Sequence, residues 1–372
     1  MKPWLALLAG LLLSQGALSQ ATLSPTTPSP ATPSPATLAQ DDQRPLLDVS
    51  IRLFDANLPT DSLQQQQLGV YPAVRQAEVR YLPFYLKVTL ENTGHWGAVR
   101  LLPDMDTGAE LQVSATILSS NGGLLELAVR VTDATGRTWT DRTYTGTAVE
   151  GVSLNEPATD SDPFRYLYAE LAGDLLGIYQ ALSASQVQEI KDVATLRYAA
   201  ALVPDAFAAY LVQGPEGRYS PVRLPAANDP VLQRILDIRD HEYVFIDVVD
   251  EQYTAFYDSI KPVYDLWRRY QREQRSTEAD KIRLEQEQGT QFRRGSYMSL
   301  RESYNNYRWA RMQDQYLEEI NQGFTNEVLP TDITLEDSIF HLSGTLDEQY
   351  REWRDILKEL YLLEQTPTAG QK

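Results

Sequence analysis

The chain of 372 residues contains no cysteine. Disulfides, thiolate zinc centres and cysteine nucleophiles are excluded at once. So is the lipid anchor that a bacterial leader attaches to a cysteine at its cleavage point. Histidine is nearly as scarce, with three in all. His95, His241 and His341 stand far apart, and no His-Glu-x-x-His occurs. There is no P-loop, no dinucleotide-binding glycine fingerprint and no Gly-x-Ser-x-Gly elbow. Positive charge is also short: 33 Lys and Arg face 51 Asp and Glu, a formal net charge of −18. Such a body repels nucleic acid and anionic lipid surfaces. After the first residues, no apolar run reaches the length of a membrane-spanning helix.

What is present begins with an apolar leader. Lys2 precedes the run Trp4–Leu13, and Ala17 and Ser19 are small residues at the spacing a signal peptidase reads. The expectation is a signal peptide over 1–19, export to the periplasm, and no transmembrane segment after cleavage. Residues 20–44 form a Pro/Thr/Ser-rich stretch with a near-repeat, Thr27–Ala31 and Thr32–Ala36. It has little to bury, and a disordered, extended linker is expected.

Residues 45–182 read as a first domain of mixed α and β structure. Leu47, Val49, Ile51 and Leu53 alternate with polar residues, the pattern of a strand with one buried face. Leu82, Leu86 and Leu90 mark a helix in two pieces around Pro83, and Gly94 supplies its left-handed cap. Ala98–Leu102 is a short strand. Leu111, Val113, Ala115 and Ile117 alternate up to a Ser119–Gly123 turn, and Leu125, Leu127, Val129 and Val131 alternate on the return. A turn at Asp133–Arg137 leads to a strand over Trp139–Tyr144. Asp162-Pro163 opens a helix whose apolar stripe runs from Phe164 to Leu182.

This order, with the segments Leu47–Phe54, Leu90-x3-Gly94-x-Trp96-Gly97-Ala98-Val99 and Ala109–Ile117, resembles the TolB amino-terminal domain. The curli secretion channel protein and the lipoprotein activators of penicillin-binding proteins share that pattern. Ser114-Ala115 stands near the glycine expected there, and the lipobox cysteine of these relatives is missing. The resemblance covers about a third of the chain. It implies a fold, and an envelope adaptor more than a catalyst.

Residues 183–330 read as a mainly helical domain. Val187–Ala201 is a helix closed by Pro204, and Gly214–Asn228 a loop. A long helical period follows through Ile235, Ile238, Phe245, Val249, Tyr253, Phe256, Ile260, Tyr264 and Trp267, with a break or kink expected at Pro262. Residues 268–288 are polar, a solvated helix or a connector. Tyr297, Leu300, Tyr304 and Tyr307, then Trp309, Met312, Tyr316, Ile320 and Phe324, form aromatic stripes of the kind that fill a helical core or dock a partner. Residues 331–364 give two short strands, Asp332–Glu336 and Ile339–Ser343, and a last helix opened by a Thr345/Glu348 capping box. Leu335-Glu336-Asp337-x3-His341-Leu342-Ser343-Gly344-Thr345 resembles half of a BON domain. A disordered tail is expected over 365–372.

Asp106-Thr107-Gly108 carries the aspartic-protease tripeptide. It lacks a second copy and an apolar approach, so a polar connection between strands is the simpler reading. His241, beside Asp240 and Glu242, is expected at a helix surface. Asp and Glu are abundant enough to supply the paired carboxylates of a glycosidase, but the barrel or large sheet on which such enzymes usually build a deep cleft is not visible in the pattern. The reading is therefore an α+β protein with no catalytic, cofactor-binding or metal residues expected. Its role is a non-catalytic adaptor or accessory factor of the cell envelope, acting through protein–protein contact. Its interaction surface would include Tyr297, Tyr304, Tyr307, Trp309 and Tyr316. The alternatives are a wall-directed hydrolase of glycan or peptide and a glycan-binding module. The partner and the oligomeric state are left open.

Overall fold

The structure, a computed structural model, describes residues 44–68, 70–149, 162–288, 330–335 and 338–365. The expected signal peptide 1–19, residues 20–43 of the expected linker, the tyrosine and tryptophan stripes of 297–324 and residues 366–372 lie outside the described residues.

Five strands form one sheet: β1 (Val49–Arg52), β2 (Val99–Leu102), β3 (Leu111–Ser120), β4 (Leu124–Asp133) and β5 (Thr138–Thr147), in the order β2-β1-β3-β4-β5. β1 lies parallel to both β2 and β3, and β3–β4–β5 is an antiparallel meander. The two-residue period sets the faces. Leu111, Val113, Ala115 and Ile117 on β3, and Leu125, Leu127, Val129 and Val131 on β4, are buried. Their alternates Ser114, Thr116, Ala128 and Arg130 are half-buried or exposed. One face therefore carries the core and the other stays polar, the usual pattern of a half-covered antiparallel sheet.

Helices cover the apolar face. A short α1 (Ser62–Leu68) precedes α2 (Pro72–Thr93), and α3 (Arg165–Ala181) follows the meander. Gly94 takes φ 66° and closes α2 with its N–H on the Glu91 carbonyl. α2 is one helix, not two. Pro83 sits inside it and cannot donate to the carbonyl four residues back. That carbonyl, on Val79, accepts the Phe54 N–H at 3.0 Å instead. The usual penalty of an internal proline is thus offset by a bond to the strand side of the molecule.

At the β3–β4 turn, Gly122 has φ 75°, and a Cβ there would lie 2.3 Å from the Arg268 carbonyl. The position needs glycine for both reasons. Asn121 does not share the positive φ. Its Oδ1 accepts the N–H groups of Gly123 and Leu124. α3 begins at Arg165, later than the Asp162-Pro163 signal suggests, because Asp162 caps a turn by accepting the Phe164 N–H at 2.7 Å.

Beyond the sheet come α4 (Ala184–Leu202), opened by a Ser183/Gln186 capping box, a single turn α5 (Pro204–Phe207), and a small hairpin of β6 (Leu211–Gln213) and β7 (Tyr219–Pro221). β7 falls inside the loop expected over Gly214–Asn228 and β6 just before it; each strand is only three residues long. The hairpin is held by the Tyr219 N–H on the Thr135 carbonyl. α6 (Pro230–Gln288) is 59 residues long and passes Pro262, which lies on its exposed side, without ending. The last elements are β8 (Thr331–Leu335), β9 (Ser338–Leu342) and α7 (Leu346–Gln365). The Thr345/Glu348 capping box forms as read, and hydrogen bonds from Thr345, its backbone N–H first, hold the Glu348 carboxyl below its ordinary value.

One apolar cluster joins these parts, from Leu47 on the sheet side through Tyr264 of α6 to Tyr361 of α7. Arg44, placed in the linker on sequence, is tied to the body by bonds to the Gln180 and Leu182 carbonyls. Gln365, placed in the tail, ends α7. Among the described residues, no helix is long and apolar enough to cross a membrane.

Candidate functional site

Asp106-Thr107-Gly108 is a structural turn. Asp106 Oδ1 accepts the Gly108 N–H at 2.7 Å, and the Gly108 carbonyl accepts Arg239 Nη2 of α6 at 2.6 Å. His95 is exposed, and His341 makes an exposed 2.6 Å contact with Asp332 across β8–β9. His241 is half-buried on α6, and its backbone carbonyl accepts Trp353 Nε1 at 3.1 Å. No group of three metal-ligating side chains gathers among the described residues.

Two assemblies of carboxylate, tyrosine and arginine emerge that the sequence reading did not single out. The first is sealed. Glu78 of α2 accepts Ser120 Oγ at 2.5 Å and Tyr264 OH at 2.7 Å on one oxygen, and Arg75 Nε at 3.1 Å on the other. Close by, Arg268 of α6 donates to Asp162 at 3.0 Å and to Asp265 at 2.6 Å, with its guanidinium 4.3 Å above the Tyr264 ring. Glu78, Arg268 and Asp162 are all at most 1% exposed. Burial pushes the Glu78 carboxyl up, against the pull of Arg75. Tyr81, Tyr168 and Tyr264 line the same core, and burial raises each phenol. No solvent reaches this group, so its chemistry serves the fold.

The second assembly is open. Glu242 of α6 accepts Tyr198 OH of α4 at 2.8 Å on Oε2, and Tyr350 OH of α7 at 2.5 Å on Oε1. Arg354 Nε of α7 lies 3.4 Å from Oε1. Burial raises the carboxyl, and the Arg354 charge opposes the rise. Glu242 forms part of the wall of a cleft of about 280 Å³. Tyr198, Ala201 and Leu202 close one side. From α7, Arg351, Arg354 and Lys358 line the other, with Asp355 among them. A second cleft, of about 400 Å³, adjoins it beyond Ile238 and Leu357.

A third feature is the outer edge of β5. The Ala148 N–H bonds the Gly123 carbonyl toward β4, and the Val149 N–H turns the other way, to the Pro163 carbonyl. By the same alternation, the N–H groups of Asp141, Thr143, Thr145 and Thr147 point away from β4. These four residues are exposed, and no described strand pairs with that edge. Thr143, Thr145 and Thr147 are uncharged and β-branched. Exposed edges are usually blunted by lysine, proline or short length.

The expected surface residues Tyr297, Tyr304, Tyr307, Trp309 and Tyr316 lie outside the described residues. Glu242 was missed because a carboxylate in a helix reads as a solvated face. The signal was its place in the stripe Ile235, Ile238, Phe245, Val249, where position 242 completes the helical spacing. No family model, no curated protein and no solved structure matches the chain.

Proposed function

We propose that the chain is an exported, non-catalytic adaptor of the cell envelope that binds an extended segment of another protein. The outer edge of β5, with which no described strand pairs, carries this reading. Strand addition uses main-chain donors and acceptors for affinity and alternate side-chain positions for choice of partner. Asp141–Thr147 offers both, in a strand with none of the usual protection at its threonines. The leader and the proline-rich stretch support an address outside the inner membrane.

The test uses a photo-crosslinking residue at Thr145 in the full chain, expressed with its leader. A single defined partner should be captured, and Thr143→Pro should abolish the capture. Proline removes only an outward N–H there, so the unfolding midpoint should hold. Capture that survives Thr143→Pro would refute the strand-edge reading.

A further inference from the structure

The cleft beside Glu242 has a charge balance unlike that of the rest of the chain. Three cations, Arg351, Arg354 and Lys358, meet two carboxylates, Glu242 and Asp355. Counted formally, that is three positive groups against two acidic ones, in a protein whose formal net charge is −18. The cations have different duties. Arg354 is half-buried, held against Glu242 and 5.6 Å from the Tyr350 ring centroid. Arg351 and Lys358 are exposed and make no hydrogen bond or ion pair among the described residues. All three fall on one face of α7, at spacings of three and four residues.

The opposite wall is apolar. Ala201, Leu202 and Ile238 line it, and Leu357 of α7 adds apolar surface beside the cations. At about 280 Å³, the cleft stands just under the ~300–1,000 Å³ range of small-molecule pockets. Glu242 is fixed from three helices, which pre-organises Arg354 before any ligand arrives.

We propose that this cleft binds a small carboxylate with an aliphatic body, the carboxylate held by Arg351, Lys358 and the ready-placed Arg354, and the body laid on Leu202, Ile238 and Leu357. The excess of cationic groups on the α7 side suits an anionic head group. An arginine fork beside a lysine suits its two oxygens. The carboxylate belongs either to a free short-chain acid or to the C-terminus of a peptide ending in an aliphatic residue. This inference is independent of the β5 edge.

Isothermal titration calorimetry on the full chain distinguishes the sources. The probes are hexanoate, hexan-1-ol, and Ala-Ala-Leu with a free or an amidated C-terminus. Saturable binding of hexanoate or of the free peptide is expected at a Kd on the order of 0.1–1 mM. The alcohol and the amide should bind at least roughly tenfold more weakly. Hexanoate as the tighter acid identifies a free small acid, and the peptide as the tighter identifies a C-terminus. Arg351→Ala with Lys358→Ala should cost roughly tenfold in affinity at an unchanged unfolding midpoint. Lys358→Gln alone should move affinity in the same direction. The proposal is overturned by any of three results: no saturable binding of either acid up to about 10 mM, equal binding of acid and uncharged probe, or an unchanged affinity in both variants.

Discussion

Glu78 and Glu242 are built from the same parts and put to different use. Each carboxylate sits on a long helix, accepts hydroxyl donors from two other segments, and has an arginine beside it. Around Glu78 the shell is closed, and the neighbouring Arg268–Asp162 pair is 0% exposed. Glu242 is buried too, at 4%, but its arginine is 36% exposed and borders the cleft. A closed network must balance its charges internally, because an unpaired buried ion costs several kcal/mol. An open one can leave a charge over for a ligand. Identical side-chain chemistry thus gives a structural pin in one place and a binding surface in the other, and access to water makes the difference.

The comparison breaks first at Asp162. Asp162→Ala would leave Arg268 buried with only Asp265, and the expected loss is about 3–5 kcal/mol of unfolding free energy. Urea denaturation measures it, and a loss under about 1 kcal/mol would deny that the sealed network is a pin.

Next in size is a pH effect at Asp250 of α6. Burial raises its carboxyl from 3.8 to about 7, against the pull of Lys87. The folded chain then holds a proton there that the unfolded chain releases, so stability should fall as pH rises from about 4 to about 7. Asp250→Asn should flatten that slope and stabilise the protein at pH 8 by on the order of 2 kcal/mol. Thermal melts across this window check both the sign and the site.

Smaller again is the response of the open cleft. Tyr350→Phe removes one donor to Glu242 and should cost about 1 kcal/mol in stability, with a drop in carboxylate affinity as Arg354 loses its fixed anchor. Least of all, Arg130→Ala on the polar sheet face breaks an exposed pair with Asp141 and should cost under about 0.5 kcal/mol. A larger loss would mean that this face is packed against something.

Much of the fold is legible in the sequence because its period is strict. Leu111–Ile117 and Leu125–Val131 alternate without error, and each pair of neighbours obeys the same inward and outward rule in the structure. Gly94 and the Thr345/Glu348 box announce helix ends by local chemistry alone. Pro83 misled because the bond that rescues it comes from Phe54, 29 positions away, and no local rule contains it. Arg268 misled for the opposite reason. It follows Tyr264 and Trp267 in the same stripe, yet its charge argues for solvent until Asp162 is seen across the gap. The candidate cleft was hidden in the same way, since Tyr198, Glu242 and Tyr350 come from three separate helices. β5 was legible as a strand but not as the last described strand of the sheet, because strand order is a tertiary fact.

The most direct test is to make one substitution at both arginines and compare urea unfolding. Arg268→Met, in the sealed network, should lose at least about 3 kcal/mol, while Arg354→Met should lose less, about 1–2 kcal/mol, because solvent screens Arg354 and two tyrosine hydroxyls still hold Glu242. Equal losses at the two positions would contradict the division between pin and binding surface.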